Sequence, residues 1–170
     1  MRALGTNGSR SVSDKPRRGD RRIQEQVHDA YKSKRKLAEP TVCPQCGAVY
    51  HGGRWQWSTR PTSAYEHTCP ACHRIRDKYP AGSVALTGAF LGTHRDEVLN
   101  VVRNAEARAK AEHPLKRIID IESQANGILV TTTDPHLARS IGEALHRACS
   151  GELHLRYAEE SDILRVQWKR

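Results

Sequence analysis

Residues 116–149 read "KRIIDIESQANGILVTTTDPHLARSIGEALHRAC", and three consecutive elements follow from them. Two runs rich in Ile, Val and Thr, 116–124 and 127–133, bracket Asn126-Gly127, the two-residue turn most favoured in β-hairpins. Asp134-Pro135 then supplies a side-chain cap and a first-turn proline for a helix. Its apolar stripe is Leu137, Ile141, Ala144, Leu145 and Ala148. Cys149 falls four positions beyond Leu145 on that stripe, which makes it a small core residue rather than a nucleophile.

The same periodicities extend in both directions. Upstream, "SVALTGAFL" (83–91) reads as a strand, and "THRDEVLNVVRNAEARAKAEH" (93–113) reads as a helix. Thr93 is its expected N-cap, Asp96 and Glu97 lie in the first turn, and Pro114 ends it. Val98, Val101, Val102, Ala105 and Ala109 share one face. Downstream, "GELHLRYA" (151–158) and "DILRVQWKR" (162–170) alternate as strands. The order is β-α-β-β-α-β with one further strand. It predicts an α+β, ferredoxin-like domain over residues 81–170, its helices on one face of an antiparallel sheet.

A different chemistry occupies residues 41–80. Cys43-Pro-Gln-Cys46 is followed by Gly47 and, 22 residues on, by Cys69-Pro-Ala-Cys72. So short a segment, poor in aliphatic side chains, lacks the core to fold alone. Two CxxC knuckles whose thiolates converge on one tetrahedral Zn²⁺ supply what is missing, with Gly47 easing the first turn. The prediction is a zinc ribbon holding one structural Zn²⁺ on Cys43, Cys46, Cys69 and Cys72. Competing readings are weaker. Cys69-Pro-Ala-Cys72-His73 spells a c-type haem attachment, which needs export and leaves the first pair unused. A redox couple likewise explains one pair and not two. His51, His67 and His73 flank the knuckles as outer-sphere or surface residues. Four thiolates leave no open coordination position, so the site is structural rather than catalytic. With no nucleophile–base grouping, phosphate-cradling loop or convincing carboxylate pair elsewhere, the chain reads as non-enzymatic.

Charge divides the chain again. Of a net +9, residues 1–40 carry +6, residues 41–80 carry +3, and residues 81–170 are neutral. Apolar content of 37% and a mean hydropathy of −0.71 are low for a packed globule. Residues 1–40 read as a basic, disordered arm that is helical at most over 21–37. No run approaches the roughly 18 apolar residues of a membrane span, and the N-terminal arginines precede no apolar segment of a secretory signal. The expected location is cytoplasmic, without membrane contact and without a small-molecule substrate.

A basic excess confined to one end points to an acidic partner, most commonly nucleic acid. The arm offers Arg17, Arg18, Arg21, Arg22, Lys34, Arg35 and Lys36. The cysteine module offers Arg54, Trp55, Trp57, Arg60, Arg74, Arg76 and Lys78, with Tyr50, His51 and Tyr65 interleaved. Aromatics among cations suit stacked bases beside phosphates. Trp55 and Trp57, two apart, would share one face of a strand, either packed over the metal site or stacking on bases, with Arg54 and Gln56 opposite. The neutral C-terminal domain lacks aromatics on "GILVTTT", which makes it a scaffold rather than an RNA-reading sheet. RNA, and a ribosome or ribosomal particle in particular, is the expected partner. DNA binding by a zinc-ribbon regulator and a protein–protein adaptor using the α+β domain are the alternatives.

"CPxCG" and "CPxC" followed by "RIIDIESQANGILVTTTDPHLARSIGEAL" resemble the Nmd-three family over roughly residues 41–150. Its eukaryotic members are adaptors for nuclear export of the large ribosomal subunit, and it has archaeal and shorter bacterial relatives. The resemblance implies metal ligation by Cys43, Cys46, Cys69 and Cys72 and association with RNA or the ribosome. Family members carry two such cysteine units and a long C-terminal part with export signals; this chain has one unit and lacks that part, so nuclear export is not implied.

Overall fold

The computed structural model describes Tyr31, residues 36–158 and residues 161–170. The basic arm expected over residues 1–40, disordered or partly helical over 21–37, therefore lies outside the described residues except for Tyr31 and residues 36–40. Over the described residues the chain folds as a mixed α+β structure with two sheets and four helices. The first sheet is small: β1 (Thr41–Val42), β2 (Val49–His51), β3 (Arg54–Gln56) and β4 (Tyr65–Glu66), in the order β3-β2-β1-β4. Helix α1 (Pro70–Arg76) follows it.

The second sheet is built from β5 (Gly82–Thr87), β6 (Ile118–Gln124), β7 (Gly127–Thr132), β8 (Glu152–Ala158) and β9 (Ser161–Lys169). Helices α2 (Ala89–Thr93) and α3 (Arg95–Glu112) lie between β5 and β6, and α4 (Pro135–Cys149) lies between β7 and β8. The strand order is β6-β7-β5-β9-β8. Alternation along the three inner strands sets the core. Val84 is level with Val130 and Val166, and Leu86 with Ile128 and Trp168. All six are buried under α3 and α4. Burial of each such side chain contributes on the order of 1.5–3 kcal/mol.

Element order agrees with the sequence pattern, and the strands of the second sheet do not lie in their chain order. The additional strand β9 takes the place beside β5 and runs parallel to it, which moves β8 to the edge. Leu164, Val166 and Trp168 of β9 are fully buried, whereas Leu155 and Tyr157 of β8 are exposed. The more apolar face therefore takes the central slot, as burial energy dictates.

Three local expectations are corrected. Residues 83–91 do not form one strand: β5 stops at Thr87, and Ala89–Thr93 is helical. Gly88 turns the chain there at φ +107°, where a side chain would strike the Arg170 carbonyl. Thr93 does not cap α3. His94 is the N-cap residue without a side-chain cap bond, and the Thr93 hydroxyl donates instead to Phe90 O. The hairpin turn falls at Ala125-Asn126, with Gln124 paired to Gly127. Gly127 is required for a different reason: a Cβ there would lie 2.0 Å from Leu86 O of β5.

At α4 the sequence pattern holds in detail, since Asp134 Oδ1 accepts from Leu137 N at 2.9 Å and Pro135 opens the first turn. Asp134→Ala is expected to destabilise the chain by about 0.5–2 kcal/mol. A thermal melt lowered by a few degrees checks this, and an unchanged melt would contradict the cap.

Candidate metal centre

Two knuckles bring the cysteines together. In the first, Cys43 N donates to Ala48 O at 2.8 Å and Gly47 N donates to Cys43 O at 2.9 Å, which closes a turn after β1. In the second, Cys69 caps α1 through its sulfur, which accepts from Cys72 N at 3.4 Å, with Pro70 at the first helical position. Cys69 N also donates to Cys43 Sγ at 3.3 Å, linking one knuckle to the other.

One sulfur from each of Cys43, Cys46, Cys69 and Cys72 lies within 4.8 Å of the other three. The Cys43–Cys72 and Cys46–Cys69 separations are both 3.7 Å. A disulfide needs about 2.05 Å, and all four are free thiols. Thiolates held about 2.3 Å from a central ion at tetrahedral angles stand about 3.8 Å apart. The spacing therefore matches a site that could hold one metal ion. Ala48 and Ala71 complete a buried cluster around the sulfurs, with Trp55 and Leu115 packed against it.

Electrostatics within the cluster are those of crowded thiols. The hydrogen bond from Cys69 draws the Cys46 thiol down to about 4. The same bond, with burial, pushes Cys69 up. Burial raises Cys72, opposed by a hydrogen bond from Arg117. Without a cation only part of this cluster ionises, so loading a metal must release protons.

Arg117 is the residue that the sequence did not single out. It lies on the connection into β6, far from the knuckles in sequence, yet its Nη2 donates to Cys72 Sγ at 3.1 Å and to Cys69 Sγ at 3.4 Å. The side chain is buried, and its Nε has no partner. Thr133 fixes the backbone behind it, accepting from Arg117 N at 2.9 Å and donating to Leu115 O at 2.6 Å. Four thiolates and a divalent ion leave two net negative charges, which a buried guanidinium offsets. A lone arginine ahead of a strand reads as a surface cation, so no pattern in the sequence marks this role.

The two tryptophans separate. Trp55, in β3, packs against the cysteine cluster and meets Tyr50 edge-on at 5.5 Å. Trp57 lies beyond β3, and its indole N–H donates to Lys110 O of α3 at 2.6 Å. They do not form one stacking face, because the strand ends at Gln56.

The other expected contact residues are dispersed. Arg54 and Arg60 are exposed, and Arg60 pairs with Glu66 at 2.8 Å. Arg76 pairs with Asp77 at 2.8 Å, and Lys78 approaches Asp120 at 3.9 Å. Arg74 is buried, its Nη1 donates to Tyr79 O at 3.1 Å, and its guanidinium stands over the Tyr31 and Tyr79 rings. That places Arg74 inside the module rather than at a phosphate-facing surface. Lys36 begins the described segment, and Arg17, Arg18, Arg21, Arg22, Lys34 and Arg35 lie outside the described residues. Cys149 is buried in the second core, as its position on the helical stripe implies.

In comparisons with protein-family models, curated proteins and solved structures, nothing matches the chain. Among the described residues no helix is long and apolar enough to cross a membrane.

Proposed function

We propose that the chain is a non-enzymatic zinc protein that associates with RNA, on a ribosome or ribosomal particle, through its basic arm and its cysteine module. The observation that carries this reading is the coincidence of two features. The whole net charge of +9 falls within the 80 residues that also hold the four-cysteine cluster. Zinc is the metal of choice for a buried, all-sulfur, tetrahedral site without an open position. The module is read as a zinc ribbon, and the second sheet with α3 and α4 as a ferredoxin-like domain enlarged by β9. That domain acts as a scaffold. The sheet face turned away from the helices carries Ser83, Ala85, Leu129, Thr131, Arg165 and Gln167, with no aromatic among them to stack on bases. The likeness to the Nmd-three family in the cysteine knuckles and the 117–145 run points the same way.

Sedimentation through sucrose gradients tests the proposal. Tagged protein is expected in ribosomal fractions at low salt and to leave them at high salt, because phosphate contacts weaken steeply with ionic strength. RNase, and not DNase, should release the co-purifying nucleic acid. Absence from ribosomal fractions at both salts, with no RNA retained, would overturn the reading. Release by DNase alone would replace it with a DNA-binding regulator.

A further inference from the structure

A cleft of about 460 Å³ opens where the cysteine module meets the connection from α3 to β6. That volume falls within the range of about 300–1,000 Å³ of small-ligand sites. Tyr50 and Trp55, whose rings meet edge-on at 61°, supply aromatic surface to the lining, Leu115 adds an apolar surface, and Arg54, His113 and Lys116 bring cationic or titratable groups. Trp55 and Leu115 also pack against the cysteine cluster, so this surface is braced by the metal centre. The side chains of Arg54 and Lys116 have no ion-pair or hydrogen-bond partner among the described residues. Among the described residues Asp134 is the one carboxylate of the lining, its Oδ1 engaged by Leu137 N, and Glu112, next to His113 in the chain, lies 4.0 Å from that ring's Nε2. The cleft thus joins aromatic surface to two cations that have no partner among the described residues.

We infer that this cleft binds one unpaired nucleotide of a single-stranded RNA, its base against Trp55 and Tyr50 and its phosphate between Arg54 and Lys116. The inference rests on the RNA association proposed above and gives it a place on the chain. A planar base can stack on one of the two rings and meet the other edge-on, since every base offers a π-face. A phosphate matches the two cations of the lining, with a fork of donors from arginine and a point charge from lysine. The cleft joins the cysteine module to the neutral domain, which gives that domain a part in contact through Leu115 and Lys116.

The experiment uses the full-length, zinc-loaded chain and pentauridylate carrying one 5-iodouridine, at low salt. Binding is read by anisotropy, and ultraviolet crosslinks are mapped by mass spectrometry. Arg54→Ala and Lys116→Ala are each expected to weaken binding about five- to tenfold, with the crosslink on the Tyr50–Trp55 peptide. Arg60→Ala, in the same module but outside the cleft, should change binding less than twofold. Zinc content and circular dichroism verify that each variant is folded. Binding that is unaffected by Arg54→Ala and Lys116→Ala, with crosslinks confined to residues 1–40, would overturn the cleft and leave RNA association standing. No binding of the pentamer at low salt would overturn both.

Discussion

Cys69→Ser is expected to abolish metal binding and to unfold the cysteine module while the second domain stays folded. Cys69 is one of the four cysteines that could hold a metal ion, caps α1 and accepts from Arg117. The module buries its sulfurs, Ala48, Ala71, Val42 and Val49, with Trp55 and Leu115 alongside, which is too little to order it alone. Structural zinc in comparable modules contributes on the order of 10–16 kcal/mol near neutral pH. Its loss exceeds anything the remaining contacts offset. Trp168 lies in a separate buried cluster with aligned residues of β5, β7 and β9. Elemental analysis should find one zinc per wild-type chain and none in the variant. Fluorescence from Trp55 and Trp57 should shift to the red, while that of the buried Trp168, whose indole donates to Ser150 O at 2.8 Å, stays in place. Retained zinc, or simultaneous collapse of both cores, would contradict this division.

Arg117→Met is expected to weaken zinc binding about 10–100-fold, as loss of an outer-sphere partner does. In the metal-loaded form the cost should approach about 3–5 kcal/mol, because a buried negative centre loses the cation hydrogen-bonded to two of its sulfurs. Without metal the sign should reverse or vanish. The guanidinium then sits buried beside partly protonated thiols with its Nε unpartnered, and methionine fills similar space without a buried charge. Arg117→Lys should fall between, since a single ammonium keeps the charge and loses the fork that spans both sulfurs. Competition with a chromogenic chelator gives the affinities, and melts with and without zinc give the sign. Equal destabilisation in both states would show that Arg117 acts by packing alone.

Much of the architecture was legible because it obeys short-range rules. The 3.6-residue stripe and the Asp134-Pro135 start located α4, and strict alternation located β8 and β9. The CxxC spacing located the cluster, since a metal constrains sequence as strongly as it constrains space. What escaped depends on contacts distant in sequence. The Gly88 break is set by the approach of Arg170, the placement of β9 beside β5 by competition for burial, and the Arg117 contact by the docking of two cores. Trp57 escaped likewise, because its partner is a carbonyl 53 residues away.

X-ray absorption at the zinc edge on the purified full-length chain tests the central claim most directly. The expected result is one zinc per chain with four sulfur neighbours at about 2.3 Å and no nitrogen or oxygen in the first shell. A chain purified under reducing conditions without zinc, or with a mixed sulfur and nitrogen shell, would contradict the four-cysteine centre on which the account rests.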